Sequence, residues 1–236
     1  MDGKIQKQPA SSGDFLGHLI LTAPLFLTYH LGLLVSPRAA NGADPFTRTM
    51  GSLAGLSRLG YLAIMLILIF AYAAWVKRLA RRKKFNARRF PLVLLESALY
   101  ALIMGPLAGL LLAELHLLGG ALVAMGPVDR VIASAGAGFY EELIFRVAGI
   151  ALVVRLLGIR KKKMGSRPAI LIAVAVTSLI FSVAHYLGPG AESFALASFS
   201  FRFVLGGMLA AIYLLRGFAT AVYAHFLYDV YVLLLF

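Results

Sequence analysis

Two adjacent carboxylates, Glu141 and Glu142, stand with Arg146 inside the apolar run Gly138-Phe139-Tyr140-Glu141-Glu142-Leu143-Ile144-Phe145-Arg146. Ionisable groups at bilayer depth cost at least a few kcal/mol each, so by default they mark function and face a protein interior or a wet cavity. A helix turns about 100° per residue. Glu142 and Arg146, four apart, therefore share a face and can pair, while Glu141 lies about 140° around the helix from Arg146. Arg146 thus neutralises Glu142 and leaves Glu141 to look into a cavity. The bland alternative is a buried ion pair that only sets helix packing. Two later runs carry imidazoles, Phe181-Ser182-Val183-Ala184-His185 and His225-Phe226-Leu227-Tyr228-Asp229. His225 and Asp229 are one turn apart and point the same way. That spacing suits metal chelation, or lets the carboxylate orient and charge the imidazole. His18, His30 and His116 read instead as packed, hydrogen-bonded core residues.

The elements that must hold these groups are membrane helices. Of 236 residues, 61% are hydrophobic and mean hydropathy is +0.86, far above the roughly 45–50% apolar share of soluble domains. The expectation is an all-α, polytopic helical bundle of about seven transmembrane helices, at 15–35, 59–76, 90–112, 128–157, 169–187, 194–215 and 218–236, near the roughly 20 residues that a span needs except for the longer fourth. Gly105-Pro106 is an expected kink in the third, and the fourth is expected to bend near Gly136 and Gly138. The chain reads as one membrane domain, with helices and a basic loop in 1–127 and the helical core that bears the chemistry in 128–236. The run at 15–35 follows Lys4 and Lys7 and precedes Ala39, Ala40 and Ala43, but it exceeds a signal core of 7–15 residues and reads as an uncleaved span.

A net charge of +13 does not point to nucleic acid, because no basic groove with stacking aromatics is visible. The cations cluster just outside apolar runs, at 77–89 and at 160–163 with Arg167. Two spans separate the clusters, so both are expected in the cytoplasm together with the N-terminus. The first cluster reads as a solvated flank, or more sharply as an anionic-lipid site. Without cysteine, disulfides, thiol catalysis and cysteine-ligated zinc are excluded. No repeat or inverted half-to-half symmetry of the kind common in transporters is present.

The ordered set Glu141-Glu142-x-x-x-Arg146, Phe181-x-x-x-His185 and His225-x-x-x-Asp229 resembles the motifs of the CPBP intramembrane proteases. That family includes the type II CAAX prenyl endopeptidases and the bacteriocin-processing or Abi proteins. Phe203-x-x-Gly206 resembles its weaker remaining motif. The resemblance runs from about Ala133 to Phe236 and implies an intramembrane endopeptidase acting on a membrane-associated protein or peptide. It implies Glu141 as the base that activates water, His185 as the group positioning the water or a metal, and His225 with Asp229 as oxyanion stabilisers or metal ligands. Glu142, Arg146 and Phe181 would support them. Two departures stand out. Asp229 occupies a position where many members have Asn, and an ionised Asp accepts hydrogen bonds but cannot donate one. Val147 follows Arg146 where Gly is frequent.

Two mechanisms fit these residues. In one, Glu141, His185, His225 and Asp229 hold Zn2+ with an open position, and the metal generates the nucleophile near neutral pH. In the other, no metal is used, Glu141 deprotonates a water held by His185, and His225 is the electrophile. Counting residues along straight spans sets His185 near the outer end of its helix and His225 nearer the inner end of its own, so the two meet only if the helices tilt or the ends differ. The competing functions are a non-catalytic membrane immunity or interaction protein and a small proton-coupled transporter.

Overall fold

The computed structural model describes residues 12–44, 58–80, 89–111, 126–158, 166–187, 191 and 193–235. Among these residues the chain is helical, without a β-strand. Helix α1 is Ser12–Val35, followed by a 3-10 turn at Pro37–Ala39. Helix α2 is Arg58–Ala80 and α3 is Arg89–Leu111, which runs through Pro106. Helix α4 spans 127–156 in three consecutive stretches: α-helical Pro127–Gly136, π-helical Ala137–Ile150 and α-helical Ala151–Leu156. Helices α5, α6 and α7 are Ser166–Ala184, Leu196–Arg216 and Phe218–Leu235. Pro127 opens α4 just after Gly126, at the position where a missing backbone N–H is harmless. At Gly136, where a bend is expected, the helix changes from α to π.

The expected all-α, polytopic bundle is present, but the number of spans is corrected. Four helices among the described residues are long and apolar enough to cross a membrane: Phe15–Val35, Arg89–Leu110, Arg167–Ala184 and Leu196–Arg216. Leu59–Trp75 is a shorter apolar helix. Helices α4 and α7, which bear Glu141, Glu142 and Arg146 on one and His225 and Asp229 on the other, are not among the four. The ionisable residues of α4 lower the hydropathy by which a span is recognised. With four such helices the chain is an integral, multi-pass membrane protein. Large apolar side chains stand exposed along α3 (Leu92, Leu95, Leu99, Leu102) and α5 (Leu171, Ile172, Leu179, Ile180). Lipid is the solvent that suits them.

Helix α7 lies at the centre. It packs against α1, α3, α6 and both the α-helical and π-helical stretches of α4. A buried cluster of Leu25, Tyr29, Phe139, Tyr140, Phe218 and Val222 joins α1, α4 and α7. The reversal from α6 into α7 turns on Gly217, whose φ of +94° is left-handed and so favours the one residue without a Cβ. A Cβ there would also run into the His18 ring. His18 Nδ1 accepts the Ala219 N–H at 3.3 Å, which ties the start of α7 to α1 as the core reading of His18 requires. His116, the turn 188–190, the segment 112–125 and most of both basic loops lie outside the described residues.

Candidate active site

Glu141, Glu142 and Arg146 all lie in the π-helical stretch and are buried. A π-helix closes its hydrogen bonds at i→i+5 and is found mostly at functional positions. Each turn takes in more residues than an α-turn, so adjacent side chains diverge by less than about 100°. Both carboxylates therefore reach the same partner, His225 on α7. Close approach of the two helices is set at Gly138, where a Cβ would meet the Val222 carbonyl oxygen at 2.8 Å and Phe226 Cβ at 3.0 Å.

Glu142 is the hinge of the charge arrangement. Its Oε2 is 3.1 Å from Arg146 Nε, the i, i+4 pair anticipated from the sequence. Its Oε1 accepts a hydrogen bond of 2.9 Å from His225 Nδ1. That bond makes Nδ1 the protonated nitrogen, since an ionised carboxylate only accepts, and turns Nε2 the other way. Nε2 is 3.9 Å from Glu141 Oε2 and 3.6 Å from Asp229 Oδ2, beyond direct hydrogen-bond length of either. Glu141 Oε2 is buried and has no hydrogen-bond partner among the described residues.

Phe181 binds the rest of the cluster. The Arg146 guanidinium lies 4.5 Å over its ring, a cation–π contact that strengthens away from water. Arg146 Nη2 also donates to the Gly206 carbonyl at 3.3 Å. Gly206 sits tight against Phe181 and Ser178, which accounts for the small residue in the weakest of the four motifs. The Phe181 ring is 6.0 Å from the His225 ring and 5.0 Å from the His185 ring, centroid to centroid. Both histidine rings thus pack against one aromatic ring.

Among the described residues His185 makes no hydrogen bond or ion pair with the carboxylates. It lies in the turn beyond the end of α5, and its Nδ1 donates to the Phe181 carbonyl at 2.9 Å. The Zn2+ expectation is therefore corrected. No group of three or more His, Asp or Glu among the described residues is placed to hold a metal ion. The physical reasons are visible in the four expected ligands. His185 spends one ring nitrogen on its own helix end. His225 spends Nδ1 on Glu142. Glu141 and Asp229 are left around a single imidazole nitrogen, 3.9 Å and 3.6 Å from it.

Sequence reasoning missed one residue that touches Glu141. Asn41, in the loop after the 3-10 turn, donates from Nδ2 to Glu141 Oε1 at 2.9 Å. Its backbone N–H donates to the Tyr29 hydroxyl at 2.9 Å, and that hydroxyl donates to buried Asp44 at 3.0 Å. Beside it, buried His30 joins the Tyr61 and Tyr140 hydroxyls, at 2.9 Å and 2.6 Å. His30 is the satisfied core histidine expected, and it bonds the residue next to Glu141. Asn41 and Glu141 are 100 residues apart, and Asn41-Gly42 has the ordinary look of a turn. No local pattern could have paired them.

Comparison with known families places this cluster. Residues 123–231 match the family model of the type II CAAX prenyl endopeptidase Rce1-like proteins. The Rce1-like region contains every residue of the motif set, from Glu141 to Asp229, and agrees with the family read from those motifs. It leaves out α1 to α3, and with them Asn41, Tyr29 and His30. No curated protein and no solved structure matches the chain.

Proposed function

We propose that this chain is an intramembrane endopeptidase that hydrolyses a peptide bond in a membrane-associated protein or peptide with a glutamate-activated water. The observation that carries the reading is Glu141 Oε2. This buried carboxylate oxygen has no hydrogen-bond partner among the described residues and lies 3.9 Å from His225 Nε2, on a chain whose Rce1-like region holds both groups. Glu141 takes a proton from water, and the water oxygen attacks the scissile carbonyl carbon. His225, held through Nδ1 by Glu142 and carrying a proton on Nε2, donates that second N–H to the oxyanion. Asp229 Oδ2 stands 3.6 Å from the same Nε2. Glu141 then returns its proton to the leaving amine as the C–N bond breaks. Arg146 pairs with Glu142 and holds it in place. His185 takes no part in this proton path, its Nδ1 being bonded to the Phe181 carbonyl. Basic loops in the cytoplasm remain the topology favoured by the charge pattern.

The test is hydrolysis itself. Purified protein is incubated in 18O-water with membranes from cells that lack it, and new protein ends are read by mass spectrometry. A hydrolase leaves one 18O in each new C-terminal carboxyl. Absence of labelled ends with the wild-type protein would turn the reading toward a scaffold or transporter.

A further inference from the structure

Resting on the reading of Glu141 as the base, we infer that Asn41 is a positioning residue: it holds Glu141 Oε1 so that Oε2 is the oxygen offered to water beside His225. The N-terminal third, outside the Rce1-like region, would then complete the site.

Asn41 is itself held at several atoms. Its Oδ1 accepts the Ala43 N–H at 2.7 Å, its backbone N–H donates to Tyr29, and its carbonyl accepts the Asp44 N–H at 3.1 Å. The Ala43 bond settles which end of the amide is which, because only the oxygen can accept it. The opposite end is therefore the NH2 group, and it donates to Glu141 Oε1 at 2.9 Å. Tyr29 adds rigidity. Its hydroxyl joins Asn41 to buried Asp44, and its ring fills the space that a Cβ on Gly136 would take, at the point where α4 changes to π-helix. One oxygen of Glu141 is thus clamped by a neutral donor from a braced loop. The other keeps its lone pairs for a proton. A neutral donor suits this task, since a cation in the same place would draw down the basicity that the base needs.

A residue that only shapes the loop would tolerate Asn41→Asp, because Asp keeps the volume and the acceptor for Ala43 N–H. The inference says that Asp fails, because it turns an acceptor toward a carboxylate. Asn41→Asp should lower the melting temperature in detergent and slow the appearance of cut ends roughly tenfold to a hundredfold. The double variant Asn41→Asp with Glu141→Gln exchanges donor and acceptor. It should recover most of the melting temperature while producing no cut ends. Wild-type melting and cutting in Asn41→Asp would overturn the inference, and so would a swap that fails to recover stability. If Glu141→Gln alone leaves cutting unchanged while the swap recovers stability, the base falls and the Asn41 contact stands.

Discussion

Glu142 is shared between a guanidinium at 3.1 Å and an imidazole at 2.9 Å, all three groups buried. Removing one partner of such a set leaves a charge without compensation, at a cost of about 3–5 kcal/mol. Arg146→Ala should therefore lower the melting temperature and the steady-state level of the protein by a large margin. Arg146→Lys should recover only part, since a lysine has neither the fork for Glu142 and Gly206 nor the planar face for Phe181. Equal stability of Arg146→Ala and wild type in a thermal melt would show that the pair contributes nothing. This pair was legible from the sequence because it is local, four residues along one helix. The Glu142–His225 bond was not. It joins residues 83 apart, and one-dimensional spacing carries no information on which imidazole a carboxylate will meet. The same limit made four ionisable residues look like a metal set, although His185 points back at its own helix end.

At the scale of elements, the π-helical stretch brings both glutamates to α7, and Gly138 permits the approach. Gly138→Ala would thrust a methyl group to within 2.8 Å of the Val222 carbonyl oxygen. Backbone cannot yield as a flexible side chain does, so the helices must separate, at a cost of about 1–3 kcal/mol. Separation lengthens the Glu142–His225 bond, and cutting should fall together with stability. Gly17→Ala on α1, where nothing lies within 4 Å of the added methyl, is the comparison. It should leave activity unchanged and gain up to about 1 kcal/mol in helix stability. Similar loss in both variants, read by melting and by cut ends, would contradict the argument. Glycine at this point suggested a bend from the sequence. That the helix would change to the wider π form here could not be read, because the 3.6-residue period was assumed in every angular argument.

For the molecule as a whole, the apolar share of the chain was enough to indicate a helical membrane protein, and the ordered motifs indicated the family now matched over residues 123–231. The span count was not readable by the same means. The helices that carry the polar cluster are joined in the bundle by buried apolar residues such as Tyr29, Phe139 and Val222. The buried cluster also depends on both ends of the sequence, since α1 and its following loop cover the face of α4 beside Glu141. A fragment limited to the Rce1-like region should accordingly produce no cut ends when expressed alone, and co-expression with residues 1–122 should restore them. Full cutting by the fragment would show that α1 and Asn41 are dispensable. The central claim is that one carboxylate performs the proton transfer. Its most direct test is the rate at which new ends appear in membranes given wild-type protein or Glu141→Gln, an isosteric change that keeps the shape and removes the base. The account predicts a fall of about 10²–10⁴-fold with the protein folded and at normal level. Cutting at the wild-type rate by a well-folded Glu141→Gln protein would contradict it.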